Sequence, residues 1–123
     1  MLVITPIQDK NFQKKLSEEC SIPYEASHMA YSIDIDDVTA GIASFYIKGD
    51  CGYISALRLI GDREDTEALE IAGRAILSFL HNIEVRFVSF SPETEAEKYI
   101  AKRMYFKDAD DKIDLELYFG HHH

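Results

Sequence analysis

The amino-acid sequence predicts an α/β domain, a mixed and mostly antiparallel sheet flanked by about three helices. Three patterns carry this prediction. Side chains alternate with a period of two from Met29 to Ile35, and apolar residues recur at helical spacing from Leu69 to Ile83. A near-continuous apolar run, Val85-Arg-Phe-Val-Ser-Phe90, reads as a strand covered on both faces and therefore central.

The elements follow in chain order. The β-branched run at residues 2–5 reads as a short strand. The helix after it places Phe12, Leu16 and Cys20 four apart on one stripe. Residues 21–26 carry Pro23 and little periodicity, and so read as a loop. From Met29, Met29, Tyr31, Ile33 and Ile35 point one way and Ser32, Asp34 and Asp36 the other, as in a half-buried strand. Turn chemistry at 36–41, a strand at 42–48, a tight turn at 49–52 and a strand at 53–60 complete an antiparallel meander. A break at 61–65 precedes the longest helix, 66–82, which has acids in its first turn. After the central strand, Ser91 is expected as an N-cap with Pro92 at the first helical position, and that helix runs to about Met104. Two strands are expected to close the chain: one opened by Tyr105, Phe106 and Lys107, and one in which Ile113, Leu115, Leu117 and Phe119 alternate. Between them lies an acidic turn with Asp108, Asp110 and Asp111.

Composition limits the function. The chain has 123 residues, 46% of them hydrophobic, which suffices for one core without disulfides or a structural metal. Its 22 acidic and 13 basic residues give a net charge of −9, a field that repels phosphate backbones and anionic lipid. No nucleic-acid or membrane partner is expected. No apolar run approaches the ~18 residues of a membrane span, and no leader pattern opens the chain, so the expected location is cytoplasmic. Cys20 and Cys51 match no metal-ligand spacing and read as small buried side chains, although Cys51, in a turn, is also a candidate exposed thiol. Gly120 and the three histidines after it match the remnant of a purification tag, which leaves residues 1–119 as a single domain.

This order of elements resembles the GNAT N-acetyltransferase family over almost the whole chain, as a short and degenerate member. Leu2-Val-Ile-Thr-Pro-Ile resembles the family's first strand, and Asp37-Val-Thr-Ala-Gly41-Ile-Ala-Ser-Phe its turn into the third. Ile54-Ser-Ala-Leu57-Arg-Leu59-Ile-Gly-Asp-Arg63, followed by a long helix, is similar to the family's fourth strand and pyrophosphate loop. Ala101-Lys-Arg-Met-Tyr105-Phe106-Lys107 resembles its closing helix and the Gly-Phe that follows. The resemblance implies a splay between the fourth and fifth strands that admits acetyl-CoA. Its acyl carbonyl would rest on a backbone N–H of Leu57, Arg58 or Leu59. Its pyrophosphate would rest at the helix start, where Arg63, Thr66 and Ala68 fall on the family's positions.

Departures from the pattern bear on activity. Thr66 stands where the family has glycine, and Glu64, Asp65 and Glu67 crowd the pyrophosphate position. At an effective dielectric near 20, each close like-charge pair costs about 4 kcal/mol at 4 Å. The same acids also serve as ordinary caps for the helix dipole. The family's tyrosine general acid falls on Ala101. Tyr99 is about 200° around the helix from a residue two positions on. Tyr105 occupies the glycine position itself, and both phenols read first as packed core aromatics. Residues 53–60 hold no carboxylate, so Glu84 is the nearest candidate base and reads otherwise as a solvated strand-edge acid.

Asp34, Asp36 and Asp37, and likewise Asp108, Asp110 and Asp111, lack the glycine and the twelfth-position Glu of a calcium loop, so no metal is expected. His28 and His81 read as surface or element-end residues. Phe45, Tyr46, Phe87 and Phe90 put apolar surface on both faces of the sheet, from which a homodimer is expected. Two functions follow. One is transfer of an acyl group from acyl-CoA to a small-molecule or peptide amine. The other is a non-catalytic interaction or small-ligand-binding module on the same fold.

Overall fold

The structure is a computed structural model and describes residues 1–61, 63, 65–107 and 112–120. Its elements are β1 (Leu2–Pro6), α1 (Lys10–Glu19), β2 (Met29–Ile35), β3 (Val38–Lys48), β4 (Cys51–Leu59), α2 (Thr66–Asn82), β5 (Phe87–Phe90), α3 (Glu95–Arg103), β6 (Lys112–Asp114) and α4 (Leu115–Phe119). Among the described residues the strands form one sheet in chain order, β1-β2-β3-β4-β5-β6, and only the β4–β5 pair is parallel. That pair is parallel because α2 lies between the two strands as a crossover. The sheet is thus mixed and mostly antiparallel, and among the described residues four helices flank it where about three were expected.

Each face has its own core. On one, Leu69, Ala72, Ile76 and Leu80 of α2 and Ile100 of α3 pack on Phe45, Ile54, Leu57 and Val88. On the other, Leu16 and Cys20 cover Ala30 and Ile42. This second cover corrects the half-buried reading of β2, since Ala30 and Ser32 are buried behind α1. The buried stripe of α1 also differs from the expectation: Gln13, Leu16, Ser17 and Cys20 face inward while Phe12 is exposed.

Turn chemistry moves several boundaries. Asp36 and Asp37 both have positive φ, so two residues close the β2–β3 hairpin and β3 starts at Val38 rather than at 42. Asp tolerates the left-handed region through its short polar side chain. Gly49, with φ +66°, likewise lets β4 begin at Cys51, which is buried and not an exposed turn thiol. Gly41 lies inside β3, where a Cβ would fall 2.4 Å from the Arg58 carbonyl oxygen. Three helices end in Schellman motifs with non-glycine residues at the left-handed position: Ser21, Glu84 and Tyr105. After α3, for example, the Phe106 N–H donates to the Ala101 carbonyl and the Tyr105 N–H to the Lys102 carbonyl.

Three further expectations change. The N-cap of α3 is Thr94 and not Ser91, because Thr94 and Glu97 form a reciprocal capping box that Ser91-Pro92 cannot. Tyr105, Phe106 and Lys107 do not form a strand: the Schellman turn aims Phe106 into the core, where it meets Phe90 edge-on. The alternation from Ile113 to Phe119 is a strand only to Asp114. There the Asp114 carboxylate accepts the N–H groups of Glu116 and Leu117 and starts α4.

Phe45 and Phe90 are buried within the chain, and Tyr46 stacks between His28 and Tyr53. Of the four aromatics from which a homodimer was expected, Phe45 and Phe90 are thus covered within the chain, and Tyr46 and Phe87 are partly buried. No described helix is long and apolar enough to cross a membrane. The acidic residues Asp62, Glu64, Asp108, Asp110 and Asp111 and the three terminal histidines lie outside the described residues.

Candidate functional site

The two central strands part after four residues. β4 and β5 are in register from Cys51–Phe87 to Ile54–Phe90, and there β5 ends. At the same level β4 carries a bulge: Ala56 pairs with Ser44 and Ile54 with Phe45, which leaves Ser55 as the extra residue. A bulge bends its strand and increases its twist, so residues 55–59 diverge from the line of β5. Beyond Ile54, β4 has no β5 partner, and this is where the resemblance implies a splay.

One side chain fills it. The Glu97 carboxylate reaches from the first turn of α3 and is fully buried. Its Oε2 accepts the Leu57 N–H at 2.9 Å and the Arg58 Nε–H at 2.9 Å. Its Oε1 accepts the N–H groups of Glu93 at 2.8 Å and Thr94 at 3.3 Å. Four donors, one of them on a guanidinium, give both oxygens of this buried side chain hydrogen-bond partners. Glu97 thus joins α3 to the free edge of β4 where β5 no longer does. The residue was missed at the level of sequence. Thr94-x-x-Glu97 marks the cap, but nothing local indicates that the same carboxylate meets a strand 40 residues earlier.

The helix start is also occupied from within. Asp65 caps α2, and its carboxylate accepts the Ala68 N–H at 3.0 Å. Ala68 is buried, while Arg63 and Thr66 are exposed. Beside this end an open cleft of about 490 Å³ runs between α2 and α3, lined by Thr66, Glu67, Glu70, Ile71, Tyr99 and Arg103. Across it Arg103 pairs with Glu70, which also pairs with Arg74. The Arg103 hydrogen bond in particular holds the Glu70 carboxyl below the usual carboxylate range.

The candidate proton-transfer residues do not converge on the splay. Tyr99 is 52% and Tyr105 71% exposed, so neither is the packed core aromatic expected. Tyr105 occupies a helix-terminating turn, and Glu84 is exposed in the corresponding turn after α2. Leu57 and Leu59 are buried on β4, and Arg58 is 18% exposed.

On the α1 side of the splay lies a cavity of about 270 Å³, lined in part by Glu25, His28, Ser44, Ser55, Arg58 and Glu93. The His28 ring stacks on Tyr46 at 4.5 Å, and its Nδ1 lies 3.4 Å from the Ser55 hydroxyl. Desolvation is the main cause that lowers the His28 pKa from its ordinary 6.5. The fold therefore favours the neutral ring. Its contribution to stability is complete above pH 6.5 and is lost as pH falls through the lowered folded-state value. An NMR titration is expected to place the His28 midpoint below 6.5; a midpoint at or above it contradicts this environment.

Among the described residues, no group of three or more His, Cys, Asp or Glu is placed to hold a metal ion. No protein-family model matches the sequence, and no curated protein does. Solved structures do match. The ribosomal-protein-S18-alanine N-acetyltransferase of Escherichia coli superposes with a TM-score of 0.68 at 10% identity, over 89% of this chain and 79% of that one. The dodecameric spermidine N-acetyltransferase of Vibrio cholerae gives 0.68 at 8%, over 99% and 98%. A GNAT family acetyltransferase from Elizabethkingia anophelis, solved with acetyl-CoA bound, gives 0.64 at 9%, over 89% and 78%. With its bulged fourth strand and its parted parallel pair, the chain has the GNAT N-acetyltransferase fold.

Proposed function

We propose that this chain is a non-catalytic ligand-binding module on the GNAT fold, with the acyl-CoA channel closed by its own side chains. The observation that carries this reading is the buried Glu97 carboxylate on the Leu57 N–H. By the resemblance, that N–H belongs to the group that would polarise an acyl carbonyl. An incoming thioester would have to displace a carboxylate held by four donors and offer a neutral oxygen in its place. Such an exchange is unfavourable, because hydrogen bonds to a charged acceptor are roughly twice as strong as neutral ones. Asp65 on the Ala68 N–H, and the Glu67 carboxylate beside it, oppose a pyrophosphate in the same way. Tyr99 and Tyr105, the two phenols the resemblance brings nearest to the general-acid position, lie on exposed surface.

The enzyme reading keeps one specific support, the splay itself, which is the feature of the fold that admits a pantetheine arm. In that reading acetyl-CoA enters once Glu97 swings out, Leu57 and Leu59 hold the acyl group, Arg63, Thr66 and Ala68 meet the pyrophosphate, and an amine accepts the acyl group.

Calorimetric titration of acetyl-CoA into the protein at low and moderate salt separates the two. The expected result is no heat of binding up to millimolar cofactor in either buffer. Saturable binding, or release of free CoA in the presence of an amine, overturns the non-catalytic reading.

A further inference from the structure

The cavity between the α1–β2 connection and the bulge of β4 has an unmatched set of charges. Arg58 is anchored through its Nε–H to Glu97. Its Nη2 lies 3.7 Å from the Glu93 carboxylate, too far for a hydrogen bond. Among the described residues neither Nη nitrogen makes one. A guanidinium with its Nε committed still presents two Nη groups in fixed planar geometry, which match the two oxygens of a carboxylate.

The remaining charges have the opposite sign. Glu25 and Glu93 line the same cavity, and Glu97 already balances Arg58. The carboxylates outnumber the guanidinium, so a free anion is repelled and an ammonium is favoured. An amine alone leaves the Arg58 fork with no hydrogen-bond acceptor and only the long ion pair to Glu93. A molecule that carries both groups satisfies both demands.

Size and lining narrow the choice. A volume of about 270 Å³ equals roughly nine waters at ~30 Å³ each, which suits a small metabolite. The neutral His28 ring and the Ser44 and Ser55 hydroxyls add polar partners without further charge. A side pocket of about 190 Å³ shares Ser55 and Glu93 with the cavity and is walled by the Tyr46–Tyr53 stack, an apolar surface for a side chain.

We infer that this cavity binds a small α-amino acid, with its carboxylate on the Nη edge of Arg58, its ammonium on Glu93 and Glu25, and its apolar side chain toward Tyr46 and Tyr53. This rests on the reading of the chain as a ligand-binding module and names the ligand class.

The test is an NMR titration of the whole protein with L-valine, and separately with valinamide and isovalerate, each of which lacks one of the two charges. L-valine is expected to shift the amides of Ser55, Ala56 and Arg58 saturably, with both analogues at least about tenfold weaker. Glu93→Gln, at a residue 74% exposed, is expected to weaken L-valine by a similar factor without loss of the fold. Arg58→Lys keeps the charge and removes the fork, and is expected to weaken L-valine by a similar factor, with some loss of stability from the missing Nε–H donor to Glu97. No shift with millimolar L-valine overturns the inference, as does valinamide binding equally well. Acetyl-CoA titrated into the same sample reports on the underlying reading. Binding of acetyl-CoA removes the non-catalytic reading whatever L-valine does, and absence of L-valine binding without acetyl-CoA binding removes only the amino-acid assignment.

Discussion

Glu97→Ala lowers the stability of the fold by about 3 kcal/mol, the low end of what removal of one partner from a buried ion pair costs. The substitution leaves the Leu57 N–H, the Glu93 and Thr94 N–H groups and the Arg58 Nε without their acceptor, and the first of these lies on a buried strand edge. It also removes half of the α3 capping box, a smaller loss. Glu97→Gln keeps an acceptor oxygen at the site and is expected to fall between Ala and wild type. Urea denaturation checks both. A loss below about 1 kcal/mol for Glu97→Ala would mean that water enters the splay and satisfies the donors, and that the carboxylate does not hold the two elements together.

Gly41→Ala destabilises by about 3 kcal/mol, at the upper end for a small-to-large change in a tightly packed site. The new Cβ would lie 2.4 Å from the Arg58 carbonyl oxygen and 2.7 Å from a Leu59 methyl. A side-chain methyl can move, but the carbonyl belongs to the β3–β4 ladder and cannot yield without parting the strands. The shift is read as a lower denaturation midpoint with an unchanged m-value. Because β3–β4 is the pairing that frames the cavity, the amide shifts of Ser55 and Ala56 should move as well. A near-wild-type midpoint would show that β4 bends away at low cost on the open side of the splay.

The contrast between these two residues marks how far the sequence could be read. Alternation from Met29 to Ile35 and the helical spacing of α2 depend on neighbours within a few positions, so the meander and the crossover helix were legible. At the chain's end the same alternation fitted a strand through Phe119, but the Asp114 side chain captures two following N–H groups and turns the backbone into α4. Leu117 is consequently exposed, not buried. For the site, Leu57, Arg58 and Leu59 were placed on the free edge of β4 from the resemblance alone. Glu97 was not, because its two roles separate: the cap is local and written in Thr94-x-x-Glu97, while the contact with β4 exists only after the sheet has formed. Tyr105 failed for a related reason. Its position was read by side-chain chemistry, whereas the turn there is set by a backbone conformation that leaves the phenol in water.

A gap filled by a covalently tethered carboxylate has a thermodynamic consequence. An empty cofactor slot makes a protein's melting temperature rise with the concentration of whatever fills it, by mass action. Here the occupant arrives with the chain at a fixed effective concentration, so the fold carries its stabilisation at every dilution and in any metabolic state.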